Sequence, residues 1–543
     1  MALRCTGLLL VAALLASPDG ALAQTSVRGV PADRPDQKPA PAAAQAAPPQ
    51  SAPTPRQPGV AFAPFTLEDV VVEGSSLPRD ALAAAYAPFI GRSIDNAALT
   101  AITNAVAAAY AKSDIALYTV LVPEQRFAGG GLRLVVVEGY VGAVEVRGSL
   151  RRTRLKLLRT YLRRLEQERP LRRSTLERVV SLIRDIPGFL PEVRLEPGTE
   201  QGAVKLVMNA RERPVQVAVG ANDRGTALLG RTQVQADAYL NSIFAGADQL
   251  RVSTVLPTKV SRFQYVAGAY STPLDADGTS VTGNLSYLRT RPSAFPLKGD
   301  ATSFGLQFSR AVIRGYSRNL YVTVGVDGIN SNNALLGFTL SNDRVRTLRG
   351  AVSFVTASAR NQFSVSATAS IGLDVLGTRI APGQARSGFR KFSAKASNAL
   401  TIGKSFALRV AAFGQTTPDD LPSSEQVALG GDEFGRAYEA AIISGDRGVA
   451  GSAEFAFRPG AGLPKQIAGS ELYAFADAGR VHYRSRYGFA GVDSHLASVG
   501  AGGRLQLAQR TILQLEAVRG LDNPVFYTDR KKTRLLFSVR SLL

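Results

Sequence analysis

The sequence is poor in the residues that build metal, redox and covalent catalytic sites. Among its 543 residues are one cysteine, two histidines and no tryptophan. Cys5 lies in an N-terminal apolar segment, so the rest of the chain can form neither a disulfide framework nor a thiolate nucleophile. His482 and His495 lack metal-ligand spacing, and the glycine run at 129–131 lacks the Lys and Ser/Thr of a phosphate-binding loop. We therefore expect no metal, no cofactor and no catalytic residue, in a protein that is not an enzyme.

Long apolar runs are equally scarce, and the clearest one lies at the N-terminus. Arg4 precedes ten apolar residues, Gly7 to Ala16, and Ala21-Leu22-Ala23 is a small-x-small cleavage site. The pattern predicts a signal peptide at residues 1–23. A short buried helix is the alternative, because about ten apolar residues are too few to span a bilayer. No later segment resembles a transmembrane helix, so the exported chain would be periplasmic, released, or an outer-membrane barrel.

Two stretches of similar length follow a linker at residues 24–64, which holds ten prolines. Residues 65–140 and 141–212 both predict the order strand, helix, helix, strand, strand, which indicates an internal repeat of a small α+β layer. In the first stretch, Asp95 is the predicted helix N-cap. The predicted elements are strands at 65–72, 118–122, 132–138, 141–146, 192–195 and 203–209, and helices at 77–88, 96–112, 153–167 and 174–184.

The helices of the second repeat are strongly basic. From Arg151 to Arg184 there are 12 Lys and Arg against 3 Glu. The charge can form a solvated face, or a patch directed at anionic lipid headgroups or an acidic client. The formal net charge of the whole chain, +21, would also attract polyanions such as lipopolysaccharide. Because the signal peptide indicates export, we expect no nucleic-acid partner.

Residues 213–543 change to an alternation of apolar and polar side chains with a period of two. Leu320, Val322 and Val324, for example, alternate with Tyr321 and Thr323. Such segments run about ten residues, the length that crosses a bilayer at a tilt. Sixteen candidates begin near 215, 231, 249, 261, 280, 301, 319, 344, 362, 387, 404, 449, 470, 496, 511 and 533. The region therefore predicts a 16-stranded antiparallel transmembrane β-barrel, wide enough for an aqueous channel.

Several short motifs occur in a specific order along the chain. The first repeat ends on Val120-Leu-Val-Pro123-Glu-Gln125 and on a strand that closes with Glu138-Gly139. The second contains Pro187-Gly188. The third group comprises Gly430, Gly431, Gly435, Arg436, Tyr438, Gly445, Asp446, Gly448, Glu454, Phe475, Asp477 and Gly479.

Together these motifs resemble those of the two-partner secretion transporters, which include haemolysin secretion/activation proteins. The resemblance covers the whole chain after the signal peptide and implies that both repeats are POTRA (polypeptide-transport-associated) domains. It also implies that residues 415–448 form a sixth extracellular loop that folds back into the barrel. Arg436, followed by Tyr438, would lie at the loop tip and pair with the lumen acids Glu454 and Asp477. The family tip reads V-R-G-F/Y, whereas here the glycine, Gly435, precedes the arginine.

The implied function is export of a large, unfolded partner exoprotein to the cell surface without ATP, by a monomer. Expected partners are an exoprotein with an N-terminal secretion domain, outer-membrane lipid and lipopolysaccharide, and the barrel-assembly machinery during biogenesis. The alternative is an outer-membrane protein assembly or insertion factor of the same superfamily. A passive porin is disfavoured by the two periplasmic domains.

Overall fold

The computed structural model describes residues 62–148, 152–293, 296–335, 338–460, 463–464, 466–486, 488–508, 510–522 and 533–543. The predicted signal peptide and residues 24–61 of the predicted linker lie outside the described residues. No helix in these ranges combines the length and the apolar character needed to cross a membrane.

The first small unit packs two helices on one face of a three-stranded sheet. The sheet order is β2-β5-β4, with β5 parallel to β2 and antiparallel to β4. The Asp95 side chain accepts a hydrogen bond of 2.7 Å from the Ala98 N–H, which confirms it as the N-cap of α2. The elements are β1 (Phe65–Thr66), β2 (Asp69–Glu73), α1 (Arg79–Tyr86), β3 (Ser93–Ile94), α2 (Asn96–Lys112), β4 (Tyr118–Leu121) and β5 (Gly131–Glu138).

One predicted strand of this unit is wrong in detail. Residues 65–72 do not form one strand, because the backbone changes partners between β1 and β2. Strand β1 pairs with β3, and β2 pairs with β5. Between them the Leu67 N–H donates to the Arg92 carbonyl and the Glu68 N–H donates to the Gly130 carbonyl.

The second unit repeats the arrangement, with sheet order β6-β8-β7. Again the outer strand β6 runs parallel to the central strand and β7 runs antiparallel to it. The predicted order of strands and helices is therefore confirmed in the second unit, whereas in the first unit the short strand β3 lies between the two helices. The elements are β6 (Tyr140–Arg147), α3 (Arg152–Gln167), α4 (Arg173–Arg184), β7 (Phe189–Pro197) and β8 (Ala203–Glu212).

Sixteen antiparallel strands close into a barrel, as predicted. Strand β26 closes on β9 through five residue pairs, from Ser538–Asn222 to Leu542–Ala218. The barrel strands are β9 (Val215–Asn222), β10 (Gln233–Asn241), β11 (Gln249–Pro257), β12 (Phe263–Pro273), β13 (Thr279–Thr290), β14 (Leu297–Arg314), β15 (Arg318–Leu335), β16 (Phe338–Ala357), β17 (Asn361–Gly372), β18 (Arg390–Ile402), β19 (Phe406–Thr416), β22 (Arg447–Phe457), β23 (Glu471–Tyr483), β24 (Val492–Leu507), β25 (Thr511–Gly520) and β26 (Thr533–Leu542).

The alternation in sequence separates two surfaces of the barrel wall. On β23, Leu472 is 60% exposed, whereas Phe475 and Asp477 are 5% and 4% exposed. Along this strand, every second residue, such as Leu472, lies on the outer, apolar surface. The residues between them, such as Asp477, face the lumen. A charged side chain on the outer surface at mid-depth is destabilising, which explains why the acids Glu454 and Asp477 face the lumen.

The basic helices of the second unit lie against the turns at one end of the barrel. The Arg178 guanidinium donates to the carbonyl oxygens of Asp277 at 2.7 Å and Ala311 at 2.9 Å. Arg164 donates to the Ala276 carbonyl at 2.8 Å. Part of the basic charge is therefore used to dock this unit on the barrel.

Candidate functional site

A long segment between β19 and β22 enters the barrel lumen. It contains a short antiparallel pair, β20 (Val427–Leu429) and β21 (Ile443–Gly445). Its apolar side chains share one buried cluster with lumen residues of the wall. That cluster includes Val427, Leu429, Phe434, Tyr438 and Ile443 of the segment and Tyr473, Phe475, Val481 and Leu496 of the wall. The segment therefore fills part of the channel.

Glycines allow the tight turn at the end of this hairpin. Gly430, Gly431 and Gly435 have φ angles of +110°, +101° and +82°, which L side chains rarely adopt. A Cβ on Gly430 would also lie 2.2 Å from the Glu439 carbonyl oxygen. The loop tip can form this turn because glycine occupies these positions.

Asp477 holds the tip through the backbone. Its carboxylate accepts hydrogen bonds from the Gly435 N–H at 2.7 Å and the Arg436 N–H at 3.3 Å. The Ser498 hydroxyl donates to the same carboxylate at 2.6 Å. In this arrangement Asp477 contacts the tip arginine at its peptide nitrogen and not at its guanidinium.

The Arg436 guanidinium contacts Glu454 instead. Its Nη1 lies 2.8 Å from Glu454 Oε2 and 3.7 Å from Glu516 Oε1. The guanidinium carbon is 4.2 Å from the centre of the Phe475 ring, a cation–π contact. Arg436 therefore makes one hydrogen bond to Glu454, and two further arginines lie around the same carboxylate.

Those two arginines, Arg409 and Arg504, extend the site along the wall. Arg409 Nη1 and Arg504 Nη1 each lie 2.7 Å from Glu454 Oε1. Both also contact Glu471, at 2.7 Å and 2.6 Å. We call Arg436, Glu454, Asp477, Arg409, Arg504 and Glu471 the tip cluster.

Sequence analysis missed Arg409, Arg504 and Glu471. All three lie at strand positions that face the lumen, which the alternation in sequence could have revealed. Their pairing depends on the register that places Arg409 opposite Glu454 and Glu471 opposite Arg504, which the alternation does not specify.

Tyr438 attaches the tip to the barrel wall near the end of β25. It is buried, and its hydroxyl accepts a hydrogen bond from the Asp522 N–H at 3.0 Å. The same hydroxyl would lie 2.7 Å from a Cβ on Gly520, the last residue of β25. Arg436 and Tyr438 therefore contact the wall at different places, Arg436 at Glu454 on β22 and Tyr438 at the end of β25.

The remaining motif residues lie where the segment meets the barrel. The buried Asp446 carboxylate accepts from the Leu421 N–H and the Arg484 N–H, both at 2.9 Å, and from the Arg486 guanidinium. It therefore joins the two ends of the segment to the end of β23. Gly445, Gly448 and Gly479 lie at close approaches, where a Cβ would come within 2.6 Å of the His482 carbonyl oxygen, 2.8 Å of Val427 and 2.5 Å of Leu429, respectively.

The motif residues of the first unit stabilise its fold. The Gln125 side chain makes two 2.8 Å hydrogen bonds with the backbone of Arg133 and a 3.4 Å bond to the Pro123 carbonyl. Glu138 accepts from the Tyr110 hydroxyl at 2.7 Å and from the Ser76 N–H at 2.8 Å.

Two further motif positions join the units to each other and to the barrel. The Gly139 N–H donates to the Leu117 carbonyl, and the Gly139 carbonyl accepts from Leu171 of the second unit. Gly188 follows Pro187 in the turn before β7, and its carbonyl accepts from the Arg213 N–H just before the barrel. These contacts connect the periplasmic part of the chain to the barrel base.

The described ranges contain no group of three or more His, Cys, Asp or Glu side chains that could hold a metal ion. The two histidines lie apart: His482 Nδ1 is 3.1 Å from an Asp493 oxygen, and His495 Nε2 is 3.7 Å from an Asp522 oxygen. The site can hold a loop in a polar channel through reversible ion pairs and hydrogen bonds.

Two curated proteins are similar to this chain in sequence. The chain is 21% identical over 469 residues to the Heme/hemopexin transporter protein HuxB of Haemophilus influenzae, covering 83% of this chain and 82% of that protein. It is 23% identical over 413 residues to the Outer membrane transporter CdiB of Escherichia coli O6:K15:H31 strain 536 / UPEC, covering 71% and 67%.

Solved structures share the fold. CdiB from Escherichia coli matches with a TM-score of 0.70 at 21% identity, over 93% of this chain and 94% of that one. BamA from Haemophilus ducreyi lacking POTRA domains 1–3 matches with a TM-score of 0.51 at 13% identity, over 88% and 100%.

Two family models also match the sequence. The POTRA domain, ShlB-type, matches residues 65–139. The Haemolysin secretion/activation protein ShlB/FhaC/HecB model matches residues 202–505, more than half of the chain. The barrel lies in the bacterial outer membrane and the POTRA domains lie in the periplasm, as in this family. The chain belongs to the haemolysin secretion/activation protein ShlB/FhaC/HecB family, whose members are outer-membrane transporters of two-partner secretion.

Proposed function

We propose that this transporter exports one large exoprotein of the haemolysin or adhesin type, unfolded, from the periplasm to the cell surface without ATP. The observation that carries this is a hairpin held inside a 16-stranded barrel by ion pairs and hydrogen bonds. Ion pairs and hydrogen bonds are non-covalent, so they can break and re-form as a client enters the lumen. The client, and not an enzyme cycle, would determine when the channel opens.

The two small domains favour an unfolded client. Each presents a three-stranded sheet whose outer strands, β2 and β4 or β6 and β7, can pair with an added strand. Strand addition uses main-chain hydrogen bonds and therefore accepts many sequences. Folding of the client outside the cell would then give the transport its direction.

We assign the loop tip the role of a closure. Contacts among Arg436, Glu454 and Asp477 hold the hairpin in the lumen. Tyr438 adds a contact with the wall near the end of β25. The client would pass after the tip has moved away from the wall. The same proposal includes a monomeric transporter with no enzymatic activity, surrounded by lipid and lipopolysaccharide and inserted by the barrel-assembly machinery. We also propose the domain limits 24–64 for the linker, 65–140 and 141–212 for the two POTRA domains, and 213–543 for the barrel.

The test is to delete the gene in its native host and compare the proteins in the medium. We expect one large exoprotein with an N-terminal secretion domain to disappear and to return when the full-length chain is supplied in trans. Loss of many outer-membrane proteins, with an unchanged medium, would instead favour the assembly-factor alternative. An unchanged medium together with an unchanged outer membrane would contradict both functions.

A further inference from the structure

A second group of buried charges holds the lumen hairpin at its extracellular end, far from the tip cluster. It is formed by Glu425 of the loop and by three wall residues, Asp327 on β15, Arg349 on β16 and Lys391 on β18. We call these four residues the stem cluster. Side-chain exposure is 0% for Glu425 and Arg349 and 2% for Lys391.

The geometry of Glu425 is that of a carboxylate shared between two cations. Its Oε1 lies 2.7 Å from Arg349 Nη2, and its Oε2 lies 2.9 Å from Lys391 Nζ. The Glu425 backbone carbonyl also accepts from Gln415 at 3.1 Å. Arg349 is further oriented by Asp327 at 2.5 Å and by the Ser370 hydroxyl at 2.9 Å. Glu425 is thereby attached directly to three strands of the wall, β16, β18 and β19.

The two clusters are separated along the barrel. Gln415, which contacts Glu425, and Arg409, which belongs to the tip cluster, lie on the same strand, β19. The separation of six residue steps between these positions corresponds to roughly 20 Å of strand. The stem cluster lies where the loop enters the lumen, and the tip cluster lies deeper, toward the periplasm.

Loss of the loop would have different consequences at the two clusters. When Arg436 leaves, Glu454 keeps Arg409 and Arg504 within 2.7 Å, and these two arginines are 29% and 24% exposed, so water reaches the charges that remain. When Glu425 leaves, a carboxylate is removed from between two buried cations, Arg349 and Lys391. Removing one partner from a buried charge group is strongly unfavourable. The tip can therefore detach at lower cost than the stem.

We propose that Glu425 is a positioning residue that fixes the pivot of the loop, so that the tip swings aside while the stem stays attached. This inference rests on the proposed function, in which the tip must move for a client to pass. The pivot keeps the detached hairpin inside the barrel and lets it return to the tip cluster after transport.

The test compares full-length variants in two measurements, secretion in cells and single-channel currents of the purified protein in planar bilayers. For Arg436→Ala we expect frequent, brief openings, because the stem still returns the hairpin. For Glu425→Gln we expect openings at least about tenfold longer than those of Arg436→Ala, and a loss of secretion of similar size. Asp374→Asn is the control, because Asp374 is an exposed acid between β17 and β18, outside the loop and both clusters; it should behave like wild type.

A barrel-insertion defect would complicate the single variant, so a balanced pair is added. Glu425→Gln with Lys391→Gln removes one charge of each sign and leaves the Arg349–Asp327 pair intact. This variant should insert, as judged by heat-modifiable migration, and should show the long openings. Wild-type currents and secretion in an inserted Glu425→Gln or paired variant would overturn the pivot, as would failure of both variants to insert. Full secretion by Arg436→Ala would instead contradict the closure role assigned to the tip.

Discussion

Arg314 and Asp185 join the second POTRA unit to the barrel through two parallel hydrogen bonds. Arg314 Nε and Nη2 lie 2.7 Å from the two Asp185 oxygens. Arg314 ends β14 and is only 3% exposed, whereas Asp185 follows α4 and is 42% exposed. A planar guanidinium can donate two parallel hydrogen bonds to one carboxylate in only one relative orientation. The pair therefore fixes the angle at which the unit meets the barrel.

Replacing Asp185 by Asn should loosen this contact. We expect a local destabilisation of about 1–3 kcal/mol, since the nearly buried Arg314 loses its charged partner. Amide hydrogen exchange in α4 should therefore become faster, by roughly tenfold or more. Glu166→Gln, at an exposed acid on α3, is the control and should leave the exchange unchanged. Equal exchange in both variants would show that the pair does not hold the unit.

Replacing Arg436 by Ala should strongly reduce secretion while the barrel still inserts. Arg436→Lys should restore it only in part, because lysine keeps the charge near Glu454 but lacks the planar group that stacks on Phe475. Exoprotein in the medium and heat-modifiable migration of the barrel are the two measurements. A lysine variant that secretes as well as wild type would mean that charge alone is sufficient at the tip.

Replacing Gly430 by Ala should disrupt the tip turn. The φ of +110° is unfavourable for alanine, and its Cβ would lie 2.2 Å from the Glu439 carbonyl oxygen. Strain of this kind costs about 1–3 kcal/mol before any clash is counted. We expect frequent channel openings in planar bilayers and reduced secretion. Gly451→Ala, on the outer surface of β22 with 3.6 Å to the nearest atom, should match wild type.

Replacing Tyr110 by Phe should destabilise the first POTRA unit. The buried Tyr110 hydroxyl donates to Glu138 and contacts Ser75, so its removal leaves polar groups with fewer partners, at a cost of about 1–2 kcal/mol. The control is Tyr118→Phe, since the described residues show no hydrogen bond of the Tyr118 hydroxyl. Proteolysis of the first unit in the full-length protein measures the effect, and equal rates for both variants would refute it.

The same tyrosine predicts an alkaline limit for this unit. Burial, followed by the contacts with Glu138, raises the pKa of Tyr110 above its usual value. The folded unit therefore favours the neutral phenol, and its stabilising contribution is complete below the unfolded pKa of about 10 and declines above it. The free energy of unfolding of the unit should therefore fall less between about pH 10 and higher pH in Tyr110→Phe than in wild type. An identical alkaline profile would exclude this contribution.

Local patterns were sufficient for the helices and for most strands of the described residues, but they did not predict the short strands β3, β20 and β21. The period-two alternation of residues such as Val322 and Val324 predicted the barrel, because a lipid-exposed wall requires it in each strand separately. The N-cap at Asp95 and the repeated order of elements likewise depend on neighbours in the chain. Residues 65–72 escaped this logic, because a change of hydrogen-bond partner within an extended segment leaves no mark on its composition.

The tip residues were found only through resemblance to a family. Arg436 pairs with Glu454 as that resemblance implies, whereas Asp477 accepts hydrogen bonds from the backbone of the tip. The alternation along β22 and β23 puts Glu454 and Asp477 on the lumen face. It does not determine which of them binds the guanidinium and which binds the backbone. That assignment depends on where the loop descends relative to β22 and β23. It also depends on the cross-strand neighbours Arg409 and Arg504.

By itself, the sequence determined which segments become strands, which of their faces is apolar, and which acids must avoid lipid, because each of these follows from side chains a few positions apart. Only the tertiary structure decided which charges meet. Glu425 lies between Arg349 and Lys391, and Arg314 meets Asp185, through the closure of the barrel, the strand register and the path of the loop. Coulomb and hydrogen-bond energies depend on distances between residues remote in the chain, and those distances exist only after the whole wall has closed.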